Sequence, residues 1–367
     1  MSNQSIEQSI VDGSAWAKFC DSLKEAGNVI MRGETPSDLF NRAEGFRYLT
    51  RLLRAGLESN VEFSDPSFPQ FFQLADETKK IGNDNPDNFY QNVNISGKYD
   101  YLITGTRGTV DYLSLGTKAG SYATTGRMEP TGQINGREMQ INADGTFEII
   151  VSSTPKPGKN WLPMTKDSHS IVVRQTFGDR KKETPAIMKI KCLNGEGDNT
   201  LEPIPFVQQL ENTVKFVKNT ANLFVDWMEI YREHLNKLPS DNQERCQIAG
   251  GDATIHYLQS FWKLAPDEAL LIHARKIPEC RTWNFQLSNY WMESLDFRYF
   301  RICVNKHTAH YEKDGSVKIV VAHRDPGPKY PNWLTTTNHD QGGMLFRWVE
   351  ASEHPPVDCE VVKFADL

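Results

Sequence analysis

One short segment late in the chain carries the residue types that proton transfer requires. His323 and Asp325 stand two positions apart at the end of a predicted strand, and His339 follows in the next predicted loop. Histidine titrates near neutral pH, and a neighbouring carboxylate can orient its ring as a general base. These residues therefore predict a catalytic His323–Asp325 pair, with His339 as a second proton carrier. The structural alternative is that Asp325 closes a Pro-Gly turn and His323 is an ordinary loop histidine.

Two arginines occupy the middle of predicted strands, where aliphatic residues surround them. Arg174 lies in SIVVRQTF and Arg347 lies in GMLFRWV. Burying an unpaired guanidinium is costly, so each side chain must find an acceptor in the protein or an anionic ligand. We expect a carboxylate or backbone carbonyls to be the partners. A clamp for a carboxylate, sulfate or phosphate group is the alternative.

An asparagine- and aspartate-rich stretch, GNDNPDNFY, runs from Gly82 to Tyr90. Its spacing does not fit an EF-hand calcium loop, which needs a glycine at the sixth position and a glutamate at the twelfth. Asx turns account for most of these residues because short polar side chains hydrogen-bond to the following backbone. Asp84 and Tyr90 are the candidate ligand contacts in this stretch.

The predicted strand 283–291 alternates between an aromatic, apolar face and a polar face. The polar face fits either a solvated surface or the floor of a hydrogen-bonding pocket. With a tryptophan beside it, such a pocket would suit sugar-like or aromatic ligands. The candidate binding residues here are Asn284, Gln286, Tyr290 and Trp291.

These residues must be positioned by elements that occur twice in the chain. Residues 144–162 begin with Asp-Gly, continue through an aliphatic strand and a proline-containing loop, and end with Asn-Trp-Leu. Residues 314–334 repeat that order, and a strand carrying arginine follows each copy. Such a repeat indicates a duplicated structural unit. Because both halves need it, we expect the Asn-Trp pair to be structural, with Trp161 and Trp333 buried.

The order of predicted elements is helices, sheet, helices, sheet. Amphipathic periodicity predicts helices in the first 80 residues and again from about residue 206 to 235. Short glycine-bounded segments between them predict strands. The fold class expected is mainly β with helical additions (α+β), in two related β-sandwich or jelly-roll-like halves. The expected boundaries are a helical region 1–81, a β unit 82–195, a helical insert 196–250 and a second β unit 251–367.

Each half resembles the repeat unit of the DUF1214 family, a domain of unknown function with a jelly-roll-like β fold. The family pattern is an aromatic-rich strand, an Asp-Gly turn, an aliphatic strand, a proline-containing loop, Asn-Trp-Leu and a strand with arginine. Residues 283–287 (WNFQL) are similar to the family's FWSLT-like strand, and 82–90 resembles the start of the unit in two-copy members. The resemblance covers residues 40–365. It implies a fold and carries no chemistry.

The amino-acid composition argues against several classes of binding partner. The 367 residues carry a formal net charge of -6 without a basic stripe, which argues against nucleic acid. No apolar run is long enough for a membrane span, and the first 16 residues lack a secretory signal. The six scattered cysteines include no CxxC pair, so we expect reduced thiols, a cytoplasmic location and no metal site.

The expected function is therefore that of a cofactor-independent enzyme, because no nucleotide-binding or phosphate-binding motif is present. It would be a hydrolase or lyase that acts on a small polar or aromatic molecule through His323, Asp325 and His339. The alternative is a non-catalytic protein that binds a carbohydrate or another small ligand. A homo-oligomer is compatible with either.

Overall fold

The computed structural model describes residues 3–240 and 243–367. It is an α+β fold with four sheets arranged in two similar halves, preceded by helices and separated by one long helix. The expected fold class is thus confirmed. The longer helices are α1 (Asn3–Val11), α2 (Ser14–Ala26), α3 (Leu39–Leu57), α4 (Pro203–Tyr231) and α5 (Gln243–Ile248).

Two of the helix starts follow from local chemistry. Asp38 precedes α3 and its carboxylate accepts a hydrogen bond from the Asn41 backbone N–H, which is a standard N-cap. The long helix α4 begins at Pro203, earlier than its apolar periodicity predicts, because proline is well tolerated in the first turn of a helix.

The first half is a pair of four-stranded sheets packed face to face. One sheet has the order β1-β7-β3-β4 and the other β6-β5-β2-β8. Residues such as Val93, Leu115 and Ile171 from the former meet Ile103 and Ile149 from the latter in one core. The strands are β1 (Asn88–Asn94), β2 (Tyr101–Thr106), β3 (Tyr112–Ala119), β4 (Glu129–Asn135), β5 (Thr146–Ser152), β6 (Trp161–Pro163), β7 (Ser168–Thr176) and β8 (Ile187–Cys192).

The second half repeats this topology strand for strand. Its sheets have the orders β9-β15-β11-β12 and β14-β13-β10-β16, so β9 corresponds to β1 and each later strand to its counterpart. Trp283, Phe285 and Phe346 contribute to its core. The strands are β9 (Ile255–Lys263), β10 (Glu268–Ala274), β11 (Thr282–Leu287), β12 (Cys303–Asn305), β13 (Val317–Ala322), β14 (Trp333–Thr335), β15 (Gln341–Val349) and β16 (Asp358–Lys363).

The repeated asparagine makes the same three hydrogen bonds in each half. Asn160 donates to the carbonyls of Gln140 (2.9 Å) and Glu148 (2.8 Å) and accepts from the Gln140 N–H (2.7 Å). Asn332 donates to the carbonyls of His310 (2.8 Å) and Lys318 (2.9 Å) and accepts from the His310 N–H (2.8 Å). Each asparagine thereby replaces a missing piece of backbone pairing beside a short parallel strand.

The two tryptophans are half-buried, so the prediction that both are buried was wrong. Each indole Nε1 donates at 3.2 Å to a backbone carbonyl at the end of the preceding strand, that of Ser152 for Trp161 and that of Ala322 for Trp333. Trp333 packs on a small outer cluster with Val320 rather than inside the sandwich. This position leaves part of the ring at the surface.

Helices α3 and α4 pack against the second half. Tyr48 of α3 and Phe224 and Trp227 of α4 share a cluster with Phe261 and Trp291. A Cβ atom on Gly45 of α3 would lie 2.6 Å from the Trp291 ring, so a glycine is needed for this close approach.

We expect Asn160→Ala and Asn332→Ala to lower the free energy of unfolding by similar amounts, about 2–4 kcal/mol each, because each leaves two carbonyls and one N–H without partners. Urea unfolding of the two variants measures this. Asn199→Ala is the control, since Asn199 is exposed and forms none of these bonds. A change no larger than that of the control in both variants would contradict the structural role.

Candidate functional site

A cavity of about 150 Å³ lies where the two halves face each other. Its walls come from the outer faces of the sheets that contain β7 and β15, and α4 closes one side. Arg174, Arg347, Tyr90 and Tyr257 provide the main polar groups. The apolar wall consists mainly of Tyr122, Met128, Val172, Phe224, Trp227, Ile255 and Leu345.

The polar groups belong to two equivalent sets. In the first half, Arg174 on β7 stands opposite Tyr90 on β1 and Ser114 on β3. In the second half, Arg347 on β15 stands opposite Tyr257 on β9 and Asn284 on β11. Strand alternation directs each set away from the core of its own sandwich and towards the other half.

Each arginine is held by the other half of the chain. The loop before the first strand of each half is called here its leading loop (82–87 before β1, 249–254 before β9). Arg174 Nη2 donates to the Gly250 carbonyl and Arg347 Nη2 to the Asn83 carbonyl, both at 2.6 Å. Asn83 (φ 57°) and Gly250 (φ 94°) occupy equivalent left-handed positions, where Gly and Asn are favoured. The expectation that both arginines contact protein acceptors is confirmed.

The tyrosines repeat the same symmetry through backbone bonds. The Asn85 N–H donates to the Tyr90 hydroxyl and the Asp252 N–H donates to the Tyr257 hydroxyl, both at 3.0 Å. The side-chain oxygens of Asn85 and Asp252 also accept, at 3.0 Å, the N–H two residues further on. The two leading loops therefore have the same local hydrogen bonds.

The two arginines have different groups beside them. Asp252 accepts hydrogen bonds from Tyr112 (2.8 Å) and Ser114 (2.9 Å), and its Oδ2 lies 4.0 Å from Arg174 Nη1. Burial alone would raise the pKa of Asp252, but the Arg174 charge and these hydrogen bonds outweigh it and place the pKa at about 2. The carboxylate is therefore ionised beside Arg174.

Arg347 meets amides where Arg174 meets a carboxylate. Its Nη1 donates to Gln286 and, at 3.2 Å, to Asn284, whose own amide donates to Asn85 at 2.7 Å. Within residues 3–240 and 243–367, no carboxylate lies within 4 Å of the Arg347 guanidinium. Burial lowers the pKa of Arg347. Together with the bond to the Asn83 carbonyl, these bonds use three of its five N–H donors.

Nearby acidic groups have other cationic partners. Asp84 accepts hydrogen bonds from the backbone and hydroxyl of Ser294 (3.0 and 2.7 Å), and Lys80 donates to the same hydroxyl. Burial raises the pKa of Asp87, and hydrogen bonds from Asn305 and Asn284 and the charges of Arg180 and Arg347 oppose this shift. Asp84 lines the cavity but its carboxylate is directed to Ser294.

Of the candidate binding residues, the structure brings Arg174, Arg347, Asp84 and Tyr90 together around the cavity. Asn284 and Gln286 lie behind them and hold Arg347 and the first leading loop.

The other two candidates, Tyr290 and Trp291, do not lie at this cavity. Tyr290 donates to Glu229 (2.6 Å) and Trp291 to the Asn41 carbonyl (3.0 Å), both within the helix-packing cluster. Strand β11 ends at Leu287, so residues 288–291 leave the sheet and the predicted pocket floor is not formed by one strand.

The expected proton-transfer residues are not assembled into one site. His323 Nδ1 lies 2.9 Å from Thr336 Oγ1 and its Nε2 lies 3.2 Å from the Ala265 carbonyl. The Asp325 carboxylate instead accepts the Gly327 N–H at 2.8 Å, which closes the Pro-Gly turn. The predicted geometry of the His323–Asp325 pair is therefore wrong, and the turn alternative describes Asp325.

His339 contacts helix α3 and, like His323, lies against Thr336. Its Nδ1 lies 3.0 Å from both the Thr337 hydroxyl and the Thr336 carbonyl, and its Nε2 lies 3.6 Å from Glu44 Oε2. Burial raises the pKa of Glu44, but its contact with His339 and its hydrogen bond from Asn289 outweigh this and bring the pKa to about 2. This contact joins α3 to the second half.

Several site residues were missed by sequence reasoning, namely Lys118, Gly250, Asp252 and Tyr257. The last two could have been found from their spacing, because Asn85 precedes Tyr90 by as many residues as Asp252 precedes Tyr257. Lys118 is buried, with its Nζ 3.4 Å from the Gly251 carbonyl. Burial and the Arg174 charge lower its pKa to about 7.

No group of three His, Cys, Asp or Glu side chains suited to a metal ion occurs in the described residues. No helix in the part of the chain that the structure describes is long and apolar enough to cross a membrane.

Comparison with solved structures identifies relatives of the whole chain. The crystal structure of an uncharacterized protein from Burkholderia cenocepacia is 46% identical, with a TM-score of 0.95 over 98% of this chain and 99% of that one. The VPA0106 protein from Vibrio parahaemolyticus has a TM-score of 0.50 at 11% identity, over 93% of this chain and all of its own, and shares the fold alone. A search of the curated proteins finds no match.

The sequence model described as "Protein of unknown function (DUF1214)" matches residues 91–177 and 264–353. The first match begins within β1 and ends just after β7, and the second begins just after β9 and ends after β15. Both matches therefore include the strand that carries the arginine. The chain therefore belongs to the DUF1214 family and contains two copies of its unit.

Proposed function

We propose that this protein binds a small organic anion in the cavity between its two units. The observation that carries the proposal is the convergence of Arg174 and Arg347 on one cavity, with Arg347 lacking a close carboxylate among the described residues. A buried cation without an ionic partner is costly, and an anionic ligand would offset that cost. This is the small-ligand-binding alternative that the sequence left open.

The volume and the apolar wall limit the size and kind of ligand. A cavity of about 150 Å³ is comparable to cavities that accommodate benzene. Phe224 and Trp227 can cover the apolar body of a ligand, while the arginines and the Tyr90 and Tyr257 hydroxyls face its polar end. A short carboxylate with an aliphatic or aromatic body fits this description.

The hydrolase or lyase hypothesis based on His323 has less support. Both ring nitrogens of His323 lie near acceptors or hydroxyls of the protein, and His323 is not among the cavity-lining residues. A cytoplasmic location, a jelly-roll arrangement of the strands and a homo-oligomeric state also stay predictions.

The anion proposal is tested by calorimetric titration of butyrate and benzoate into the wild-type protein and Arg347→Gln. We expect binding to weaken by about 1.5–3 kcal/mol in the variant, because a hydrogen bond to a charged group is lost. Arg347→Lys, which keeps the charge, should retain part of the affinity. Circular dichroism and thermal unfolding establish that each variant is folded.

Arg324→Gln is the matched control, because Arg324 is exposed and the substitution changes the net charge equally. Absence of binding to the wild-type protein would overturn the proposed function. Equal weakening by Arg324→Gln would show that the effect arises from overall charge rather than from the cavity.

His323→Ala separates the binding proposal from the enzyme hypothesis. We expect its affinity for butyrate to equal that of the wild-type protein, and its free energy of unfolding to fall by about 1 kcal/mol through loss of the Thr336 contact. Titration and urea unfolding measure these values. A large loss of affinity would favour a site that includes His323.

A further inference from the structure

The symmetry of the two units makes the charge difference at Asn85 and Asp252 informative. Asn85 and Asp252 occupy equivalent positions: each donates its N–H to a tyrosine hydroxyl at 3.0 Å and accepts an N–H two residues on. One is a neutral amide and the other is a carboxylate. The two arginines therefore lie in sites of the same shape but different charge.

The Arg174 site is balanced within the protein. Asp252 lies 4.0 Å from Arg174 and is fixed by the hydroxyls of Tyr112 and Ser114. An anion placed on Arg174 would meet the ionised Asp252, and like charges at this distance repel in a low-dielectric site.

The Arg347 site lacks that balancing carboxylate. The position equivalent to Asp252 is Asn85, and the amide of Asn284 lies between Asn85 and Arg347. Two acidic groups of the same loop lie nearby: Asp84 is linked through Ser294 to Lys80, and the Arg180 charge acts on Asp87. The charge of Arg347 also acts on both carboxyl groups, so three cations face two acidic groups. One net positive charge therefore remains at the cavity, where an anionic ligand can balance it.

Resting on the proposed function, we infer that the cavity selects a ligand with a single negative charge, which Arg347 binds. Asn85 leaves the Arg347 site cationic, and Asp252 prevents the Arg174 site from accepting a second anionic group. The ligand class is a short monocarboxylate whose apolar body lies against Phe224 and Trp227. Dicarboxylates are excluded by charge rather than by length.

The test compares butyrate, succinate and uncharged butyramide by calorimetric titration at about pH 8, where Lys118, with its lowered pKa of about 7, is mostly neutral. In the wild-type protein we expect butyrate to bind about tenfold or more tightly than either of the others, as expected for one charge-assisted bond.

Two reciprocal variants examine the charge difference itself. Asn85→Asp places a carboxylate at the equivalent position and should weaken butyrate binding about tenfold. Asp252→Asn frees Arg174 and should strengthen succinate binding about tenfold relative to butyrate. Asn199→Asp, at an exposed position, controls for net charge. Thermal unfolding shows whether each variant is folded. If Asp252→Asn does not fold, Asn85→Asp alone still tests the charge difference.

The outcomes separate the two proposals. If no anion binds the wild-type protein, the proposed function fails. If butyrate and succinate bind equally, the protein is an anion-binding protein but the single-charge inference is wrong. If butyrate is preferred and a folded Asn85→Asp variant binds it unchanged, the preference does not arise from the Asn85–Asp252 difference and the inference is also wrong.

Discussion

Two guanidinium groups buried between facing sheets determine much of this structure. Arg174 and Arg347 project from strands where aliphatic residues would suffice for packing, and each donates to a backbone acceptor in the other unit. The acceptors are carbonyls at left-handed positions in the other unit's leading loop. Each unit therefore completes the hydrogen bonding of the other. Separating the units would leave both arginines and both carbonyls without these partners.

That reciprocal arrangement explains why the central strands of the second unit's facing sheet have no solvated side. All residues of β15 and all of β11 are buried, although the strands belong to antiparallel sheets that often expose one face. Their second faces carry Asn284, Gln286 and Arg347, which are satisfied by the first leading loop. Polar side chains on a strand are thus compatible with full burial when another backbone supplies the partners.

The sequence predicts some features better than others for physical reasons. The repeated Asn-Trp pair is visible because side-chain chemistry is needed: the amides of Asn160 and Asn332 each offer two N–H donors and one acceptor to the backbone. The alternating apolar and polar residues of the strands and the two arginines are also visible, because they too are features of the side chains. These features suffice to predict two similar halves and the arginines as candidate binding residues.

The acceptors that each arginine finds in the other unit's leading loop are invisible in the sequence because they are backbone carbonyls. The Gly250 and Asn83 carbonyls and the N–H groups of Asn85 and Asp252 perform equivalent tasks while their side chains differ. The segment around His323 led to a wrong prediction because its side chains are visible in the sequence but their contacts are not. Its residue types suit catalysis, but proximity in sequence did not place Asp325 beside His323, since turn closure engages the carboxylate.

The crossed contacts between arginine and leading loop have a consequence for how such a chain could arise. A single unit on its own would present an arginine without its carbonyl, so an unduplicated ancestor would have needed a second identical chain to supply it, as a two-fold symmetric dimer. In such a dimer every substitution appears twice, and Asn85 and Asp252 would have had to be the same residue. Joining the copies in one chain removes that restriction. Covalent fusion therefore allows two formerly identical positions to acquire different charges, which a symmetric dimer cannot do.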